Sequence, residues 1–215
     1  MLKLYGHPFS SYTWKALIPL YANATPFEFR QVGGVNADDD AFVQAASPSG
    51  KFPVLVDGDK EVFEATAIIE HLQIHQPGPS PLLPEDPAEA VQVRMLDRVF
   101  DNYVMGVMQE SVAEAIRLGA LGPETRSSVE QRLDRSYRWL DTWLENYDRP
   151  DHVTLIECAA APSLFYADWV HRIPADLARL TAWRAHLLAL PPIARCVEDA
   201  RPFRHYFPLG APDRD

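Results

Sequence analysis

The chain has 215 residues and a mass of 24.2 kDa, room for one large domain or two small ones, and its 47% hydrophobic and 23% charged composition excludes disorder and extended repeat arrays. With 20 basic against 30 acidic side chains, a formal net charge of -10, it would repel a phosphate backbone, so nucleic acid is not an expected partner. No apolar run approaches the roughly 18 to 20 residues that span a bilayer, residues 1–8 show no signal-type leader, and Cys158 and Cys196 stand far apart, as expected of reduced thiols in the cytoplasm.

Leu2, Leu4 and Tyr5 make a short apolar strand candidate, and residues 10–21 carry Trp14, Leu17, Ile18 and Tyr21 at helical spacing. Residues 27–32 alternate apolar and polar side chains as a half-buried strand does. A Gly/Asp-rich loop and a short helix near residues 40–46 lead to the apolar run Phe52-Pro53-Val54-Leu55-Val56. The turn Asp57-Gly58-Asp59-Lys60 and the run Glu61-Val62-Phe63 complete a β-hairpin. Ala67, Ile68 and Leu72 mark one more amphipathic helix from Glu64 on, so the first part reads βαβαββα.

Pro77, Gly78, Pro79, Pro81, Pro84 and Pro87 crowd the next segment, which suits neither helix nor central strand. It reads as a linker, residues 79–87, between a domain of residues 1–78 and one of residues 88–215. Beyond it strand signals vanish. Residues 91–116, 124–147, 155–170 and 177–188 carry apolar side chains at spacings of three and four, predicting an α-helical bundle. Thr154 and Glu157, with Val153 ahead of them, spell a capping box, and Trp139 and Trp143 read as core. His71 and His75 are four apart but lack a glutamate between them and a third ligand, so no metal is expected.

The phrase Gly50-Lys51-Phe52-Pro53-Val54-Leu55-Val56-Asp57, followed by Glu64-Ala65-Thr66-Ala67-Ile68-Ile69-Glu70-His71-Leu72, resembles the G-K-x-P-x-L-x-D…E-S-x-A-I-x-x-Y-L signature of cytosolic glutathione transferases. Residues 154–162 are similar to the family's S/T-x-A-D helix start. The resemblance, to bacterial members with a serine-type loop, covers nearly the whole chain. It implies an α/β plus all-α architecture: a thioredoxin-like N-terminal domain, then an α-helical one. It also implies a homodimer that uses glutathione as co-substrate, without metal, to conjugate its thiolate to a small hydrophobic electrophile in detoxification. A non-catalytic binding module of the same fold and a glutathione-dependent isomerase are the alternatives.

On pattern alone, Pro53 is an ordinary trans proline opening an edge strand. The resemblance instead implies a cis Phe52-Pro53 bond that turns the backbone of Phe52, next to Lys51, outward to pair with a peptide. Glu64 is either a favourable acid in a helix's first turn or, as the resemblance implies, a contact for the γ-glutamyl end of glutathione together with the backbone of Ala65. The family's serine is alanine here, one hydroxyl fewer. Asp101 is a candidate for the glutathione amine.

Ser10 and Ser11, ahead of the first helix, fit an N-cap. The resemblance assigns Ser10 first and Ser11 second to donate a hydrogen bond to the glutathione sulfur. A thiol with pKa near 8.5 is only about 3% ionised at pH 7, and a hydrogen bond of roughly 1.5 to 3 kcal/mol to the charged form lowers that pKa by about one to two units. Tyr12, Tyr103, Val104, Met108 and Tyr166 are candidates for an apolar electrophile pocket, a role that helical core packing explains equally well.

Overall fold

The computed structural model describes residues 1–215. β1 (Leu2–Gly6), α1 (Ser11–Ala22), β2 (Phe27–Gln31), α2 (Ala37–Ala46), β3 (Val54–Asp57), β4 (Lys60–Phe63) and α3 (Ala65–His75) follow in the predicted order. The sheet runs β2-β1-β3-β4, with β1 parallel to β2 and antiparallel to β3. A parallel pair needs a crossover, and α1 supplies it. The β3–β4 hairpin turns at Gly58, whose φ of 64° is a conformation that costs glycine nothing. This is the thioredoxin-like unit the resemblance implied.

The rest is helical: α4 (Pro87–Val99), α5 (Gly106–Leu118), α6 (Pro123–Trp143), α7 (Leu155–Val170), α8 (Ala178–Ala189), α9 (Pro191–Ala200) and a 3-10 turn, Arg201–Tyr206. None of these helices is long and apolar enough to cross a membrane. The helix predicted over residues 91–116 is α4 and α5 joined by a π-helical segment, Phe100–Met105. The one predicted over residues 124–147 stops at Trp143. Tyr147 lies beyond its end and donates a hydrogen bond to Glu157 Oε1 at 2.6 Å. No sequence pattern announced α9, because Pro191-Pro192 looks like a break. Pro191 in fact occupies a first helical turn, where the missing N–H leaves nothing unpaired.

α7 is the central helix, with every side chain from Leu155 to Trp169 buried. Its capping box forms: the Thr154 N–H donates to the Glu157 carboxylate at 3.0 Å, and the Thr154 hydroxyl accepts from the N–H of Ile156. Trp14 of α1 packs on Phe165 and Tyr166 of α7 with ring centroids 4.9 and 5.4 Å apart. A single apolar cluster therefore runs through both halves. Trp143 joins it by stacking on Tyr147, but Trp139 does not; at 47% exposure it lies on the surface, correcting the core assignment.

Candidate functional site

Four segments of this scaffold meet around a groove of about 300 Å³. Tyr12 comes from the first turn of α1; Ser47, Ser49, Lys51, Phe52 and Pro53 come from the loop ahead of β3. Phe63, Glu64 and Ala65 mark the passage from β4 to α3, and Arg98, Asp101 and Asn102 come from α4 and the π-helical segment. Groups from residues 12 to 102 are thus brought together by the sheet and by the docking of α4 against α1 and α3.

Each wall presents a definite chemistry. The Phe52-Pro53 peptide is cis, the isomer the resemblance implied. Phe52 lies ahead of β3 and its N–H and C=O enter no backbone hydrogen bond, so both are available to an extended peptide. Glu64 caps α3 with φ of 69° and ψ of 115°, a region L-residues avoid at a cost of about 1 to 3 kcal/mol, and its side chain makes no capping hydrogen bond. Strain of that kind clusters at active sites and ligand clamps. Behind Glu64 the first N–H groups of α3 have no partner within the helix and attract an anion.

Opposite Glu64, the carboxylate of Asp101 accepts from Lys15 Nζ and from the Arg98 guanidinium, both at 2.7 Å. Burial raises its pKa above the usual carboxylate value, with Lys15 opposing. The groove therefore carries acids at Glu64 and Asp101 and bases at Lys51 and Arg98, a mixed lining suited to a zwitterion. The Tyr12 phenol is pushed up to about 12 by burial and then by Asp101 and Glu64, so it stays protonated. Asp101 and Asn102 lie in the π-helical segment, a distortion that recurs where a helix serves a site.

Ser10 is the N-cap of α1: its hydroxyl oxygen accepts from the N–H of Thr13 at 3.3 Å. Its loop is tied down by the Trp14 indole N–H donating to Pro8 O at 2.6 Å and by the Tyr166 hydroxyl donating to Phe9 O at 2.8 Å. Ser11 is 5% exposed and, like Ser10, stands beside Tyr12 without lining the groove. The capping role accounts for Ser10's oxygen only, and leaves its hydrogen free.

The expected electrophile pocket does not assemble. Val104, Met108 and Tyr166 are 0%, 1% and 3% exposed and belong to the core, because the helical periodicity that could line a pocket is the periodicity of a packed face. Tyr103 is 60% exposed and faces a different surface groove with Val99, Val107 and Trp139. Tyr12 lines the groove between α1, α3 and α4 instead.

Comparison with known proteins gives the frame. The glutathione S-transferase N-terminal domain family matches residues 4–80. The GST-like protein YibF of Escherichia coli (strain K12) is 30% identical over 171 residues, 78% of this chain and 83% of that protein. The chain belongs to the glutathione S-transferase family. A glutathione S-transferase of Silene vulgaris is 26% identical over 203 residues, covering 88% of this chain and 94% of the relative. Among solved structures, glutathione transferase F7 from Populus trichocarpa superposes with a TM-score of 0.79 at 21% identity, covering 93% and 99% of the two chains, and so shares the fold.

Sequence reasoning missed four polar residues of the groove: Ser47, Ser49, Arg98 and Asn102. Ser47 and Ser49 precede Gly50-Lys51 directly, and that adjacency was a usable signal. Arg98 and Asn102 had none, since only the docking of α4 brings them to the β4–α3 junction.

Proposed function

We propose that the protein is a glutathione transferase that binds glutathione in this groove and presents the sulfur as thiolate to a small hydrophobic electrophile. The observation carrying the reading is the convergence of the free Phe52 backbone, the strained Glu64 at the start of α3 and Asp101 on one mixed-charge groove. Phe52 pairs with the cysteinyl backbone of the tripeptide; Glu64 and Asp101 take its ammonium; the N–H of Ala65 and its neighbours take the γ-glutamyl carboxylate. Lys51 takes the glycyl carboxylate. Ser10 donates its free hydroxyl hydrogen to the sulfur, with Ser11 the second choice. The protein works in the cytoplasm as a homodimer in detoxification, with residues 1–78 as glutathione domain, 79–87 as linker and 88–215 as helical domain.

One observation favours a second reading, a glutathione-binding module without turnover: Val104, Met108 and Tyr166, expected to line an electrophile pocket, are buried in the core instead. Retention on immobilised glutathione, combined with turnover of a panel of alkyl and aryl electrophiles, separates the two. Turnover that is lost in Ser10→Ala and kept in Ser11→Ala supports the transferase. Retention with no turnover of any electrophile supports the module. Loss in Ser11→Ala alone moves the sulfur donor to Ser11.

A further inference from the structure

A carboxylate bound at the start of α3 needs neutral or cationic donors, and the position that would supply a hydroxyl there is Ala65, a buried methyl. The neighbouring donors are mostly committed. The Arg98 guanidinium is spent on Asp97, Thr66 and Asp101, and the Ser47 and Ser49 hydroxyls, 3.2 Å apart, share one hydrogen bond that engages one of their two hydrogens. Glu64 and Asp101 are acceptors.

Tyr12 is different. It enters the groove from the first turn of α1, on a helix start fixed by the Ser10 cap, and shares the lining with Glu64, Ala65 and Asp101. Its hydroxyl makes no hydrogen bond within the chain, and burial first, then Asp101 and Glu64 through space, keep it protonated. A phenol beside two acids and bonded to neither is a donor awaiting an acceptor. We infer that the Tyr12 phenol donates to the γ-glutamyl carboxylate of glutathione, replacing from α1 the hydroxyl that α3 lacks at Ala65.

The inference deepens the glutathione reading and rests on it. It is tested by calorimetric titration of the full chain and its Tyr12→Phe, Ala65→Ser and double variants with two ligands. These are reduced glutathione and 4-aminobutyryl-cysteinylglycine, which lacks only the γ-glutamyl α-carboxylate. Removing a hydrogen bond to a charged group weakens binding by about 10- to 100-fold, and Tyr12→Phe should do so for glutathione. It should leave the decarboxylated ligand unchanged, and Ala65→Ser in the Tyr12→Phe background should recover most of the loss. Equal glutathione affinity in Tyr12→Phe overturns the inference, as does an equal loss for both ligands. Should the unsubstituted protein bind neither ligand, the glutathione reading falls with it.

Discussion

Lys15 Nζ on α1 lies 2.5 Å from Asp97 Oδ1 on α4, and the two side chains are 1% and 0% exposed. The same ammonium donates to Thr66 Oγ1 at 2.9 Å and to Asp101 at 2.7 Å, so one buried cation joins α1, α3, α4 and the π-helical segment directly behind the groove. A buried charge is tolerable only when paired. Lys15 thus ties α1 to α4 and to Asp101, one of the two acids of the groove.

Lys15→Met should therefore destabilise the protein by about 3 to 5 kcal/mol, because it removes the buried cation of Asp97 and leaves only the half-exposed Arg98. Lys15→Met combined with Asp97→Leu should recover much of that loss, since both charges are then gone. Denaturant unfolding of the two variants checks the pair. A loss under about 1 kcal/mol in the single variant would show that Arg98 alone satisfies Asp97.

Glu64 should trade stability for binding. Glycine adopts φ of 69° without strain, which returns about 1 to 3 kcal/mol, against roughly 0.5 to 1 kcal/mol lost to the greater freedom of the unfolded chain. Glu64→Gly is expected to raise the unfolding free energy by about 1 kcal/mol while glutathione affinity drops at least tenfold. Thermal unfolding and calorimetry on one preparation read both; a variant less stable than the parent would mean that the side chain serves the fold.

The capping box should matter to folding alone. Thr154→Ala removes the hydroxyl that holds the start of the fully buried α7, at a cost of about 1 to 2 kcal/mol. Glutathione affinity should be unchanged below the unfolding transition.

His7 supplies a pH dependence. Its Nδ1 accepts from the N–H of Phe9 at 3.1 Å, so the proton of the neutral ring sits on Nε2, and burial lowers its pKa below 6.5. Between the folded pKa and 6.5 the unfolded chain holds the extra proton, so stability rises with pH through that window and is fully present above it. His7→Gln should flatten the fall in melting temperature on acidification. An unchanged slope would place the effect on other groups.

The thioredoxin-like half was legible because its signals are local. Alternation in β2, the Asp-Gly turn, the proline ahead of β3 and the acid before Ala65 each act within a few residues, and the elements form as read. The pattern reading of Pro53 as a trans proline on an edge strand is corrected, since the peptide is cis and β3 lies between β1 and β4, and Glu64 is the cap of α3 and not part of its first turn. The helical half was legible in kind but not in function. Apolar residues every three or four positions report that a face is covered, not what covers it, and so Val104, Met108 and Tyr166 could be assigned to a pocket that the core fills. Arg98 and Asn102 reach the groove only through tertiary docking, which no window of sequence contains. Tyr12 was read with the electrophile side because its place opposite Ala65 depends on the packing of α1 against the β4–α3 junction.

The most direct measurement is the thiolate absorbance of bound glutathione followed against pH. The expected midpoint lies at least about one unit below the value near 8.5 of a free thiol, and returns toward it in Ser10→Ala. A midpoint unchanged from free glutathione, or no binding at millimolar concentration, contradicts the account.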